Sequence, residues 1–183
     1  FMVVNVLVHG LGIGGSVKYS KYMGEGKEEA AVDNFNQILL AGVAVSVLLA
    51  VLGNLFLVQV MALLGVTQKA GMLYEVSKEY VGTIFTGMPV LFVSYILNYY
   101  LRNDDNQKLA SFGFTVANLC DVAMNIIFVL VLNMGAFGAA LSTVLGQAIA
   151  ILFYLPGIFG KSHVLRLRFS GVHLREQWEC FHI

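Results

Sequence analysis

The sequence predicts an all-α integral membrane protein, a polytopic bundle of about five transmembrane helices, and three observations carry that reading. Of its 183 residues 58% are hydrophobic and 12% charged, whereas a soluble domain carries about a quarter charged residues. Asn34 to Gln68 has no charged residue at all, a run longer than the roughly 20 residues that cross a bilayer as helix. Leu109 to Leu132 is a second apolar run of that length, and Asp121, near its centre, is the only charged residue between Lys108 and Lys161. A formal net charge of zero leaves no basic footprint for a nucleic-acid partner. The two cysteines, Cys120 and Cys180, are far apart in unlike settings, which suggests neither a disulfide framework nor a metal knuckle. His9, His163, His173 and His182 have no ligand-like spacing to one another, and no metal is assigned to them.

Residues 1–17 read as the first span, the remainder of a helix. The chain opens Phe1-Met2-Val3-Val4 inside an apolar stretch, with no basic n-region and no small-residue cleavage site. The expectation is a fragment lacking its N-terminal part. Gly10, Gly12, Gly14 and Gly15 allow close approach of a neighbouring helix, as small residues do in membranes. They do not make a phosphate loop, because GLGIGG lacks the strand and βαβ context. Lys18 to Asp33 is the first polar loop, punctuated by Gly24-Glu25-Gly26, with a short amphipathic helix from Lys27 to Asn34 leading into the second span, 35–60. Residues 65–80 form a polar connection, partly helical. The third span, 81–101, contains Pro89, which removes one backbone hydrogen bond and favours a kink. Asn98, Tyr99 and Tyr100 near its end read as an interfacial aromatic anchor, and Arg102 to Lys108 as a solvated charged loop. The fourth and fifth spans, 109–132 and 136–159, flank a turn at Asn133-Met134-Gly135. The remaining segment, 161–183, is basic, holds the single Trp178, and suits a membrane surface.

The fourth and fifth spans hold the candidate site. An isolated carboxylate in mid-membrane is costly and faces a protein interior or a wet cavity, where it handles ions or substrate. Asn118, Asp121 and Asn125 follow i, i+3, i+7 spacing and share a helix face. Counting outward from Met134 puts Asn125 level with Thr143, and Asp121 level with Gln147, as two polar rungs of an antiparallel pair. Gly138, Ser142, Gly146 and Ala150 form a ladder of small residues that reads as packing surface.

Orientation follows from the basic residues. Lys18, Lys21, Lys27, Arg102, Lys108, Lys161, Arg166, Arg168 and Arg175 fall in one alternate set of loops, and only Lys69 and Lys78 in the other. The positive-inside rule then puts loops 18–33 and 102–108 and the tail 161–183 in the cytoplasm.

Three stretches, GIGGSVKYSKYMGEGKEEAA (12–31), LNYYLRNDDNQKLAS (97–111) and NLCDVAMNIIFVLVLNMGAFGAALSTVLGQ (118–147), together resemble the first half of a multidrug and toxic compound extrusion (MATE) transporter. The resemblance implies a twelve-helix protein of two six-helix lobes, of which this chain is most of the amino-terminal lobe, about helices 2–6. It implies that 161–183 is the interlobe segment, and that the missing helix 1 and the carboxy-terminal lobe are partners. It further implies a plasma-membrane antiporter, in bacteria of the inner membrane. Such an antiporter is coupled to Na⁺ or H⁺ and exports cationic or amphipathic drugs, with no cofactor beyond the coupling ion. Members of the family use an Asn and an Asp four residues apart on helix 5 and a Thr on helix 6. Aligned on GAFGAAL, these positions are Asp121, Asn125 and Thr143, with Asn118 and Gln147 as outer neighbours. Here the order is Asp then Asn, which moves the charge by about one helical turn. The site then holds a proton, or Na⁺ on carboxylate, amide and hydroxyl oxygens, and no other metal.

Two other readings compete. A lipid-linked oligosaccharide flippase of the same superfamily shares the two-lobe plan, but a cavity lined by many charges would suit it better than one mid-membrane aspartate. A structural assembly subunit would leave Asp121 without a role in ion or drug binding. A membrane-embedded enzyme needs a paired constellation in the bilayer, which this chain lacks, so catalysis is not expected.

Overall fold

The computed structural model describes residues 2–104 and 106–159. They form six α-helices: α1 (Met2–Gly24), α2 (Glu28–Leu55), α3 (Leu57–Leu63), α4 (Met72–Asn103), α5 (Gln107–Asn125) and α6 (Gly135–Phe159). A 3-10 turn, Gln68–Ala70, precedes α4, and a π-helical stretch, Ile126–Val131, prolongs α5. Four of these elements are long and apolar enough to cross a membrane: α2, α4, α5 with its π extension, and α6. With 23 residues α1 has comparable length, but its glycines, His9 and Lys18 dilute its apolar character.

Local chemistry sets the breaks. Gly24 ends α1 and Gly26 takes φ +72°, a conformation glycine adopts without the Cβ clash that penalises other residues. Glu28 and Glu29 occupy the first turn of α2, where carboxylates favour the helix N-terminus. The stretch expected to be a separate short helix therefore runs unbroken into the second span. That span breaks at Phe56, whose φ of -101° and ψ of 24° leave the helical range, and α3 follows it. The third predicted span starts at Met72, so nine residues assigned by sequence to the connection belong to α4, which carries Pro89 within its length. Asn133 and Gly135 both have positive φ, +54° and +57°, and reverse the chain between α5 and α6 where a turn is expected. The segment 161–183, with its expected membrane-surface and interlobe roles, lies outside the described residues.

The bundle is organised on α4. Among the described residues, α1 and α2 pack on α4 from one side and α5 and α6 from the other, with no close approach between α1 and α5. The main core joins Tyr19, Phe35 and Ile38 to Ile96, Leu97, Tyr100 and Leu101 of α4, and these to Ala117, Ala150 and Tyr154. A smaller cluster of Val8, Leu11, Met88 and Phe92 closes the other end of the α1–α4 contact. Glycines permit the closeness: a Cβ on Gly42 would collide with the Ile96 side chain, and one on Gly157 would stand 2.6 Å from Leu101.

Two sequence expectations change here. Asn98 and Tyr100 are not interfacial anchors. Asn98 is buried and donates to the Ala110 carbonyl at 3.1 Å and the Tyr154 hydroxyl at 2.8 Å. Tyr100 is fully buried and donates to Asn34 Oδ1 at 2.9 Å. Lateral packing claims these groups because α4 is covered on both sides. Likewise Asp104 is buried rather than solvated, and accepts a short hydrogen bond from Tyr19. That bond ties the end of α1 to the end of α4, and so brings loops 18–33 and 102–108 to one end of the bundle. At that end Lys27 hydrogen-bonds Glu25 at 2.7 Å in the open loop, which holds the Glu25 carboxyl below its usual range.

Candidate functional site: a carboxylate between two helices

The α5–α6 contact is built on small residues. A Cβ on Gly146 would lie 3.0 Å from the Ala117 carbonyl oxygen and 3.0 Å from Asp121 Cβ. One on Gly138 would lie 2.9 Å from Phe128 Cβ. Ser142 and Ala150 are fully buried on the same ladder. Gly146 therefore acts as the socket in which the root of the Asp121 side chain rests.

From that socket the partly buried carboxylate reaches Thr143, one turn back along α6. The Thr143 hydroxyl stands 3.5 Å from both Oδ1 and Oδ2 of Asp121, and 3.3 Å from the Ala139 carbonyl of its own helix. Ordinary O–H···O bonds are 2.5–3.0 Å, so the hydroxyl sits at the limit of reach of two acceptors and commits to neither. Among the described residues Thr143 is the only side chain within hydrogen-bond range of the Asp121 carboxylate. A carboxylate accommodates about four hydrogen bonds, so among the described residues the Asp121 oxygens keep room for further donors or a cation.

The expected rungs differ in register. Thr143 meets Asp121 instead of standing opposite Asn125, and Gln147 belongs elsewhere. The π-helical stretch Ile126–Val131 gains less height per residue than α-helix, and helix resumes at Gly135. The count outward from Met134 is therefore offset. Gln147 is buried and its Oε1 accepts from Ser94 of α4 at 2.7 Å, which makes it a strut between α4 and α6. Asn118 is exposed and donates to the Phe114 carbonyl at 2.9 Å, satisfying its own helix and taking no part in the cluster. Asn125 is partly buried at the junction of α5 with the π-helical stretch. π-bulges inside α-helices are frequent at functional sites.

The structure adds groups that spacing did not single out. His9 Nδ1 is 2.8 Å from the Tyr99 hydroxyl, and its ring packs edge-on to Tyr95 and Tyr99 at 5.6 and 5.9 Å between centroids. Ser94, the partner of Gln147, shares an i, i+4 face with Asn98, a pattern visible in the sequence. A cavity of about 950 Å³ opens elsewhere, between α2, α4 and α6, with Glu75, Glu79 and Thr86 on its wall and neither Asp121 nor Thr143.

Known proteins share this architecture. The chain is 22% identical over 170 residues to the "Probable multidrug resistance protein YoeA" of Bacillus subtilis (strain 168), covering 91% of this chain and 36% of that protein. It superposes on the inward-facing conformation of a multidrug resistance MATE family transporter of the MOP superfamily with a TM-score of 0.88 and 22% identity, over 99% of this chain and 41% of that one. A MATE structure in the bent conformation gives a TM-score of 0.89 at 20% identity, over 100% and 41%. The MATE multidrug transporter DinF-BH gives 0.82 at 26% identity, over 92% and 37%. The chain thus spans well under half the length of these relatives. The MatE family model matches residues 1–127, more than half of the chain, and on that match this multi-pass membrane protein belongs to the MATE family.

Proposed function

We propose that the chain forms most of the amino-terminal lobe of a cation-coupled antiporter that exports cationic or amphipathic organic compounds across the plasma membrane, in exchange for Na⁺ or H⁺. The observation that carries the reading is the Asp121 carboxylate, seated on Gly146 and met, among the described residues, only by the loosely held Thr143 hydroxyl. Asp121 supplies the charge, Thr143 a hydroxyl oxygen, and Asn125 an amide oxygen at the edge of the π-helical stretch. Asn118 and Gln147, satisfied elsewhere, are not ligands in this reading.

Coupling needs two packings of the bundle that differ in ion affinity, because a ligand shifts an equilibrium only by its differential affinity for the two states. The hydroxyl balanced between Asp121 and Ala139 supplies such a difference. With the ion bound it turns to the site, and without it returns to its own helix. Helix 1 and a second lobe complete the central cavity, and the lobes rock to give alternating access. The segments 18–33 and 102–108, which hold Lys18, Lys21, Lys27, Arg102 and Lys108 and are joined by the Tyr19–Asp104 bond, face the cytoplasm. The relatives described above are multidrug transporters, and they do not favour the oligosaccharide flippase.

Cation binding to the purified full-length transporter tests the assignment, read as Na⁺-dependent thermal stabilisation beside the same measurement in a pH series. Asp121→Asn removes the stabilisation and Thr143→Val weakens it, whereas Asn118→Ala leaves it intact. Unchanged stabilisation in Asp121→Asn sinks the reading.

A further inference from the structure

The cavity between α2, α4 and α6 lies outside the site described so far, and its chemistry changes with depth. On α4, Glu75, Lys78 and Glu79 line its mouth, and Tyr80 to Leu101 beyond them carry no charge. That uncharged stretch rises about 33 Å, close to the bilayer's hydrocarbon thickness of about 30 Å, so Glu79 stands at the level of the lipid headgroups. From Glu79 the wall descends through Gly82 and Thr86 to Val90, about 16 Å, or half that thickness. On α6 the facing wall, from Met134 through Phe137 and Leu141 to Val144, is apolar and covers a similar depth of about 15 Å. The cavity is therefore one leaflet deep. Among the described residues α2 and α6 do not approach each other, so no wall closes the groove opposite α4. Leu55 and Phe56, beside the lining residue Asn54, are exposed, as is Phe137.

Below the mouth, the polar donors are spent inside the protein. Thr83 donates to the Glu79 carbonyl at 2.8 Å and Thr86 to the Gly82 carbonyl at 2.9 Å. Asn54 Nδ2 reaches the Ala50 carbonyl at 2.9 Å and the Thr86 hydroxyl at 3.3 Å. This depth therefore suits hydrocarbon better than a polar ligand. The mouth is different. Among the described residues neither Glu75 nor Glu79 forms an ion pair, and the Lys78 ammonium lies over the Tyr74 ring, 6.0 Å from its centroid. Two carboxylates with one ammonium between them complement a headgroup that carries an ammonium beside a phosphate.

We propose that this groove binds a phospholipid with a primary-ammonium headgroup, in the leaflet remote from the Tyr19–Asp104 bond. Glu75 and Glu79 accept from the ammonium, Lys78 meets the phosphate, and an acyl chain lies along Phe137, Leu141 and Val144. A primary ammonium has three N–H donors, whereas a trimethylated one has none. A headgroup with a phosphate and no cation meets the two carboxylates as a like charge. A helix of a second copy would bury both carboxylates without basic partners, at a high desolvation cost. The inference is independent of the ion site and takes from the preceding section only the name of the leaflet, outer in that orientation.

The test is lipid retention by the purified full-length transporter, counted by native mass spectrometry in detergent holding equal amounts of dioleoyl phosphatidylethanolamine, phosphatidylcholine and phosphatidylglycerol. Wild type is expected to retain the ethanolamine lipid about fivefold over the other two, the order of one partly exposed ion pair. Glu75→Gln/Glu79→Gln, isosteric at the mouth, should still bind lipid but with a preference below about twofold. Gly82→Leu fills the groove beneath the mouth. A Cβ there stands 3.4 Å from Leu57 and 3.6 Å from Asn54, ordinary contacts, and leucine favours helix over glycine, so this variant folds and should lose the bound lipid. Equal retention of the three lipids by wild type overturns the inference, as does an unchanged preference in Glu75→Gln/Glu79→Gln or an unchanged lipid count in Gly82→Leu. Two other occupants would also overturn it. Tetraphenylphosphonium binding that Gly82→Leu abolishes while lipid retention stays marks an organic-cation site, and a dimer that Gly82→Leu splits marks a second copy.

Discussion

Gly146 offers the sharpest way to disturb the site without touching its chemistry. In Gly146→Ala the new Cβ stands 3.0 Å from the Ala117 carbonyl and from Asp121 Cβ, against about 3.5–4.0 Å for relaxed contacts. Backbone and the root of a side chain cannot swing away, so α5 and α6 must part locally by about 0.5–1 Å. Thr143, already 3.5 Å from both carboxylate oxygens, then loses contact with Asp121. Replacing Gly by Ala in a helix gains about 1 kcal/mol, and overpacking costs about 1–3 kcal/mol. Global stability therefore falls by about 0–2 kcal/mol, and the larger effect is on the ion. Gly113→Ala is the control, since it crowds the same helix pair near Tyr154, at 2.6 Å, far from Asp121. The assay is the ion-induced rise in unfolding temperature of the full-length transporter, which follows the bound fraction. Gly146→Ala should lose most of that rise, whereas Gly113→Ala should keep it while losing stability without ion. Equal retention, or equal loss, in the two variants refutes the socket argument.

Asn98→Ala deprives two buried acceptors, the Ala110 carbonyl and the Tyr154 hydroxyl, and should cost about 1–3 kcal/mol, read as lower thermal stability with ion affinity unchanged. Ser94→Ala leaves the buried Gln147 Oε1 without the donor that reaches it at 2.7 Å. It should cost a similar amount, and the double variant Ser94→Ala/Gln147→Leu should recover part of it in the same melt. The Glu25–Lys27 pair is fully exposed. Since the Glu25 carboxyl is lowered, chiefly by its hydrogen bond to Lys27, any stability it lends is present above the ordinary Glu range and lost as pH falls through the lowered value. Screening makes that contribution small, so Lys27→Ala should melt like wild type from pH 3 to pH 9.

The helical membrane architecture was legible because apolar runs and charged loops are a strong periodic signal, and the turn at Asn133–Gly135 because few residue types tolerate positive φ. The family was legible from three stretches in order. Asp121 stands out in the sequence as a lone mid-membrane carboxylate, and its contact with Thr143 is seen in the structure. The register of its partners was not legible. Counting at 1.5 Å per residue assumes α-helix, and the π-helical stretch at Ile126–Val131 moves Thr143 to Asp121 and frees Gln147 for Ser94. Asn118 shares the right face on a helical wheel, yet bonds its own backbone, a choice spacing does not reveal. Buried roles for Asn98, Tyr100 and Asp104 depended on α4 being covered from both sides, which is tertiary information. His9 looked like an isolated imidazole because its partners lie about ninety residues away on α4.

The most direct test of the central claim is export of a fluorescent organic cation by cells expressing the full-length transporter, wild type beside Asp121→Asn at matched membrane abundance, under imposed Na⁺ or pH gradients. The account predicts that Asp121→Asn reaches the membrane but loses gradient-driven export, and that the gradient which drives wild type identifies the coupling ion. Export by Asp121→Asn at the wild-type rate under the same gradient would contradict it.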